Sequence, residues 1–395
     1  MMIQNMENQP TYLRRPMARL IQFTTLLLIS GLFLASISQA APIRRPAENH
    51  RSLALGGTGV SYANDELAFY YNPAGLGSIE NFWVELLPVT LEASGQAVDL
   101  VKSGEFAKFN DPAALIKKNI GQEIQLRGLF TPHAVFNLAP GFTLGYGQLI
   151  EYQAEMKIRN QATPRIEAFY QEEKGKVMGL SFPMKSGKFL GGVAARTIER
   201  TGGSADISSA SLAIASIKGQ LDLKNELAMN STSGSAYDAG LIWRMEWLSS
   251  LRGQFGLSIM NLGGTTLTPT NDTSQTVEIP QEINLGWAFR PKTTPLTSLM
   301  IAMELRDITA QQSPDSSRSK RTHVGVEFGV LPMDNSTNLI TLRMGQSAGA
   351  PSYGAELSLW HSFSVSYVVY HEEYGDVAGE DTRQRKLLQV NLIGF

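Results

Sequence analysis

Strict alternation of apolar with polar or small residues recurs in six segments and restricts this chain to β-structure with two unlike faces. Between Ser298 and Arg306, Leu299, Ile301, Met303 and Leu305 share one face, with Glu304 and Arg306 on the other. Val324, Val326, Phe328 and Val330 oppose His323, Gly325, Glu327 and Gly329, and Ile340, Leu342 and Met344 oppose Thr341, Arg343 and Gly345. Tyr353, Ala355, Leu357 and Leu359 oppose Gly354, Glu356 and Ser358. Phe363, Val365, Tyr367 and Val369 oppose Ser364 and Ser366, and Ile283, Leu285, Trp287 and Phe289 oppose Asn284, Gly286 and Arg290. A soluble sandwich alternates too, but its outer face would carry many more lysines. A wall with lipid on one side and a lumen on the other fits better.

After Glu80 about fourteen such segments can be counted, centred near Glu85, Ala134, Gly147, Gly175, Ala194, Leu241, Leu257, Leu285, Met303, Val326, Leu342, Leu357, Val365 and Val390. The connections alternate in length. Short turns such as Ala139-Pro140-Gly141 and Lys185-Ser186-Gly187 face longer polar loops such as Gln96 to Gln122, Gly203 to Gln220 and Gly263 to Glu278. Short periplasmic turns opposite long outer loops mark a bacterial barrel, and an even strand count puts both termini in the periplasm. The expected fold is all-β: a transmembrane antiparallel β-barrel of about fourteen strands, occupying 81–395. Within the long loops, Asn110-Asp111 before Pro112 to Lys118 predicts a short helix, and Ser208 to Lys218 reads as helix or loose strand.

The first forty residues read as an address. Arg14, Arg15 and Arg19 precede an apolar run from Leu20 to Ile37, and Ser38-Gln39-Ala40 supplies small residues for cleavage after Ala40. A run of roughly 18 apolar residues can also nearly span a bilayer, so a retained helix is the rival reading. Met6 and Met17 are alternative initiators. Export to the outer membrane of a Gram-negative-type cell implies contact with outer-membrane lipid, lipopolysaccharide and the barrel-assembly machinery.

Composition narrows the chemistry. The chain has no cysteine, five histidines and a formal charge of −2, which supplies neither redox thiols nor the basic patch that nucleic acid requires. The histidines (His50, His133, His323, His361, His371) lie in separate segments without metal-ligand spacing, and no nucleophile elbow occurs. The expectation is a non-enzyme with no catalytic residue, no metal and no cofactor. Glu304, Arg306, Glu327, Arg343 and Glu356 fall on the lumen face and read as a paired network first, a conduction path second. Glu327 and Arg343 sit on neighbouring hairpin strands and are expected to pair.

The stretch from Leu53 to Leu76 precedes the first strand and is rich in small residues: Leu55-Gly56-Gly57-Thr58-Gly59, then Asn72-Pro73-Ala74-Gly75-Leu76. Its glycines lack the Lys-Ser/Thr of a phosphate loop. Glycine and alanine let backbone pack closely against a curved wall, Asn72-Pro73 initiates a turn, and Gly75 is available for positive φ. A fourteen-stranded wall is too wide for its own side chains to fill, since an eight-stranded barrel is about the largest that closes this way. Residues 41–80 are therefore expected to form a periplasmic start and a luminal hatch, with Gly56, Gly57, Gly59, Asn72, Pro73, Ala74 and Gly75 as its gating residues.

This segment resembles the N-terminal signature shared by FadL-type hydrophobic-solute transporters and PorV-type outer-membrane proteins. Phe255-Gly256-Leu257-Ser258-Ile259-Met260-Asn261-Leu262-Gly263, Thr322 to Glu327 and Leu342-Arg343-Met344-Gly345 are similar to the PorV-like branch. The resemblance implies a fourteen-stranded barrel with an N-terminal hatch. It also implies one of two functions: passage of a small hydrophobic ligand, or partnership with an exported protein. The terminal Phe395 reads as an assembly signal, although it lies out of phase with Leu388, Val390 and Leu392, which a bulge near Gly394 would reconcile.

Overall fold

The computed structural model describes residues 47–65, 67–79, 82–102, 120–140, 142–159, 165–185, 187–208, 211, 226–245, 251–271, 274–311, 318–333, 337–359, 362–373 and 382–394. The signal region, the helix expected over Pro112 to Lys118, most of Ser208 to Lys218, His361 and Phe395 lie outside the described residues.

The wall is a closed antiparallel sheet of fourteen strands. They are β1 (Trp83–Glu85 and Val89–Ser94), β2 (Glu123–Phe130 and His133–Ala139), β3 (Phe142–Arg159), β4 (Arg165–Met184) and β5 (Phe189–Ile207). There follow β6 (Asn230–Arg244), β7 (Gln254–Met260 and Thr265–Pro269), β8 (Val277–Ile279 and Glu282–Phe289), β9 (Thr297–Leu305) and β10 (Thr322–Pro332). The last four are β11 (Asn338–Ser347), β12 (Ala350–Leu359), β13 (Phe363–Glu373) and β14 (Thr382–Gly394). Each strand pairs with its sequence neighbours, and β14 closes the sheet on β1. Every strand centre expected from the alternation falls inside one of these ranges.

Facing follows the sequence pattern. Leu342, Met344, Tyr353 and Leu357 are exposed on the outside, while Glu304, Glu327, Thr341 and Arg343 are buried within. Among the described residues no helix is long and apolar enough to cross a membrane.

Four strands are interrupted. The step from Glu85 to Val89 spans four residues of β1 but faces three on β14 (Ile393 to Val390) and three on β2 (His133 to Phe130). Leu86, Leu87 and Pro88 therefore form a bulge that turns both leucines outward, and Pro88 has no N–H to give the ladder. The described part of β14 pairs without a break through Gly394, so the irregularity at this seam belongs to β1. In β7, the step from Ile259 to Thr268 advances nine residues but faces an advance of six on β6, from Ala239 to Ser233. Asn261, Gly263 and Gly264 take left-handed conformations there, at φ 52°, 77° and 84°. The stretch from Gly263 to Glu278, expected as a loop, is instead partly a strand extension: Thr265 to Leu267 pair with Ile279 to Val277. The connection after β1 begins with helix α3 (Gly95–Lys102), whose Ala97 and Leu100 pack on Ile124.

The interior is filled from the N-terminal side. Helix α1 (His50–Ala54), helix α2 (Leu67–Tyr70) and a 3-10 turn (Pro73–Ser78) run through the lumen. Phe69, Tyr70, Tyr71, Leu76 and Ile79 pack with Leu129, Val135, Leu149 and Val177 of β2 to β4. Leu55 and Tyr62 pack with Ala288, Met300 and Ala302 of β8 and β9. Leu53 and Ala54 meet Val368, Tyr370 and Leu387 of β13 and β14.

Candidate functional site

The segment from Leu53 to Leu76 lies close on the wall at lumen-facing glycines, among them Gly192, Gly240, Gly256, Gly325 and Gly345. A Cβ added at Gly325 would stand 2.6 Å from the Leu55 carbonyl oxygen, and one at Gly240 would overlap the Asn72 amide. On the hatch side, Gly56 and Gly57 occupy positive φ (66° and 88°), a conformation that costs other residues strain. Gly59 faces the ring of Tyr71 with no space for a Cβ. Gly75 was expected to supply positive φ. It does not; its backbone is ordinary and the constraint is the Ala63 carbonyl pressed against it.

The turn at Asn72 forms as its residue types dictate. The Asn72 side chain caps the 3-10 turn by accepting from the Ala74 N–H at 3.1 Å, with Pro73 at the first position. Its Nδ2 donates to the carbonyls of Val60 (2.7 Å), Leu241 (3.2 Å) and Leu257 (3.3 Å), so one amide ties two hatch turns to β6 and β7. The Ser181 hydroxyl then donates to the Ala74 carbonyl at 3.1 Å.

The lumen charges form a chain that runs between hatch and wall. Arg51 of α1 donates from Nε (3.0 Å) and Nη2 (3.1 Å) to the two oxygens of Glu327 and from Nη1 to Asp65 (2.6 Å). Arg343 donates to Glu327 from Nε (2.7 Å) and to Glu356 from Nη1 (2.6 Å), and Glu356 lies 3.0 Å from His50 Nε2. The order is hatch arginine, wall acid, wall arginine, wall acid, hatch histidine. A buried carboxylate is tolerable only when so paired. The expected Glu327–Arg343 pair is therefore present, embedded in a longer series.

Glu304 and Arg306 form a second anchor. One Glu304 oxygen accepts from the backbone N–H groups of Gly59 (2.8 Å) and Val60 (2.9 Å). Arg306 donates to the other Glu304 oxygen (3.3 Å), to Glu48 (3.2 Å) and to the Gly57 carbonyl. His323, on the lumen face as expected, lies 2.7 Å from the Gly56 carbonyl. Burial pushes the hydroxyls of Tyr62 and Tyr70 far above their ordinary pKa, and Tyr62 donates to the Thr58 carbonyl at 2.8 Å.

The ion-paired anchors cluster on β9 to β12, while Arg127 and Asn137 of β2 donate to the Glu48 and Ile79 carbonyls and Ser181 of β4 to the Ala74 carbonyl. Toward β2 and β3 the hatch presents Phe69, Tyr70, Leu76 and Ile79 to aliphatic wall residues. Among the described residues no group of three or more histidines, cysteines or carboxylates could hold a metal. All five lumen charges expected from sequence take part in the two anchors. The partners missed were Glu48, His50, Arg51 and Asp65, which lie in a segment without strand periodicity. One signal was available: three wall acids against two wall arginines call for a cation from elsewhere.

No protein-family model and no curated protein matches this chain. Solved structures share its fold, among them two toluene transporters. The toluene transporter TodX of Pseudomonas putida is 11% identical, with a TM-score of 0.51, and the match covers 90% of this chain and 99% of that one. The toluene transporter TbuX of Ralstonia pickettii is 10% identical, with a TM-score of 0.50, covering 87% and 97%. Both are toluene transporters, and the likeness to them is one of fold. Neither is a PorV-like protein, so the secretion-partner reading draws no support from them.

Proposed function

We propose that this barrel is an outer-membrane channel for small hydrophobic solutes, gated by the hatch from Leu53 to Leu76. Export through the cleaved signal at 1–40 is part of the proposal, as is the reading of 41–80 as the hatch unit. The observation that carries it is the unequal attachment of the hatch. On one side Arg51, Gly59 and Val60 are held by Glu327 and Glu304. On the other, Phe69 and Leu76 meet Leu149 and Val177. An apolar solute can replace apolar contacts without stranding a charge, whereas it cannot replace an ion pair. The contacts of Phe69 and Leu76 on β3 and β4 are thus the ones that yield, with the charged side acting as the fixed edge. The fold shared with two toluene transporters supports the same solute class.

Deleting Ser52 to Leu76 while keeping the signal region tests the gate. The expected result is an assembled, heat-modifiable barrel with raised single-channel conductance and raised permeability to small polar solutes. A variant that assembles normally with unchanged conductance would remove the gating role. Exported protein partners, captured through the outer loops, would then be the next object of measurement.

A further inference from the structure

The short turns at one rim of the barrel are unequal in charge. The β4–β5, β6–β7 and β8–β9 connections, with their flanking residues, carry Lys185, Lys188, Arg244, Arg252, Arg290 and Lys292. Their one acid, Glu246, lies outside the described residues. The short turns after β2, β10 and β12 carry no lysine or arginine and a single acid, Asp334. The cations are thus gathered on the sector from β4 to β9.

Beside these turns the wall carries an unbroken row of aromatic rings. Phe189 pairs with Trp243, Trp243 with Phe255 and Phe255 with Trp287 across β5 to β8. Their strand neighbours Leu190, Ile242, Gly256 and Ala288 meet the hatch, so the four rings point outward to lipid. Phe189 and Trp243 stack at 5.8 Å, and Phe255 and Trp287 meet edge to face at 5.4 Å. Aromatic belts of outer-membrane barrels sit at head-group level, which sets the adjoining turns at the depth of the lipid phosphates.

Two of the cations turn inward: Arg244 faces the Ser78 hydroxyl of the hatch at 3.5 Å, and Arg290 donates to Gln254 Oε1 at 2.8 Å. The other four, Lys185, Lys188, Arg252 and Lys292, are exposed. Lys185 Nζ stands 5.7 Å from the centre of the Phe189 ring, which holds its charge on the lipid side. A ligand that suits this edge has an apolar body for the rings and a phosphate for the cations. A soluble acidic protein has only the second, and a zwitterionic lipid offsets its phosphate with its own ammonium. We propose that the rim from β4 to β9 binds anionic phospholipid of the inner leaflet, with acyl chains along the aromatic row and the phosphate among Lys185, Lys188, Arg252 and Lys292. This rests on the reading of the barrel as a membrane wall with its short turns in the periplasm.

The test is quenching of tryptophan fluorescence in the full barrel, reconstituted in phosphatidylcholine vesicles, since Trp243 and Trp287 belong to the row. A rising fraction of the lipid is replaced by brominated phosphatidylglycerol or, in a parallel series, by brominated phosphatidylcholine. Phosphatidylglycerol should reach half-quenching at a mole fraction at least about fivefold lower, the factor that one lysine or arginine near a membrane surface supplies. Raised salt should shrink this preference. Lys185→Gln, Lys188→Gln, Arg252→Gln and Lys292→Gln together should abolish it, whereas Arg159→Gln with Arg165→Gln, at the far end of β3 and β4, should leave it intact. If the fourfold variant does not insert, Lys185→Gln with Lys188→Gln and Arg252→Gln with Lys292→Gln should each lose part of the preference. Equal quenching by the two lipids in the wild type, or a preference that survives these substitutions, overturns the proposal. Absence of quenching by either lipid would overturn the membrane reading along with it, so the two failures are distinguishable.

Discussion

Glu327 links wall to hatch through a single carboxylate, accepting twice from Arg51 and once from Arg343. Glu327→Gln removes the charge but leaves Arg51 with Asp65 and Arg343 with Glu356, so no cation is orphaned. The expected loss is therefore that of charge-assisted hydrogen bonds between hatch and wall, about 2–3 kcal/mol, rather than that of a stranded ion. Raised conductance from a barrel of unchanged heat-modifiability would show it. Arg51→Met should act through the same contact, so the double variant should be no worse than the more severe single one. Full additivity would mean that the two side chains act independently. Glu327 facing Arg343 was legible because strict alternation projects both inward and the short hairpin turn aligns them. Arg51 was not, because a hatch of short turns has no period from which a side chain's direction can be read.

Among the elements, the turn at Asn72-Pro73-Ala74 was the most legible part of the hatch, since its residue types specify a capped turn whatever surrounds it. What the sequence could not reveal is that the Asn72 amide also reaches carbonyls on β6 and β7. Asn72→Ala should therefore loosen more than the turn. Hydrogen exchange across Leu53 to Leu76 should quicken by the equivalent of about 1–3 kcal/mol, the cost of leaving buried carbonyls without a donor. Unchanged exchange would confine Asn72 to capping. Replacing Asn72 and Pro73 together with alanine should raise conductance less than the full deletion does. The β7 excursion shows the opposite case. Gly263 and Gly264 read as the start of a loop, because glycines at positive φ look alike in a loop and in a bulge, yet Thr265 resumes the ladder. Only the partner strands distinguish the two.

At the scale of the whole molecule, the wall was legible because lipid and lumen impose a period of two on every crossing. Arginine in place of Val326 or Leu342, both on the outer face, should impair assembly by about 2–4 kcal/mol near the midplane, whereas arginine at luminal Thr341 should be milder. The fraction of heat-modifiable protein in outer-membrane preparations measures this. Equal tolerance on both faces would reverse the assignment of inside and outside. Gly325→Arg should fail for a different reason, since Leu55 already occupies that space. The contacts that hold the hatch also set an order in time. His50 meets Gln389 across 339 residues, Arg51 meets Glu327 across 276 and Gly59 meets Glu304 across 245, so this N-terminal segment waits for the last strands before its partners exist. Contacts of such long sequence separation form late, because the intervening chain must be closed before they repay its entropy. The seam that closes the wall spans a similar distance, from Val84 to Gly394, so closure and plugging are both late events whose relative timing sets how long an open barrel exists. Slowing the docking of the hatch, without altering its final fit, would be expected to make a cell transiently leaky in proportion to how fast it synthesises the protein.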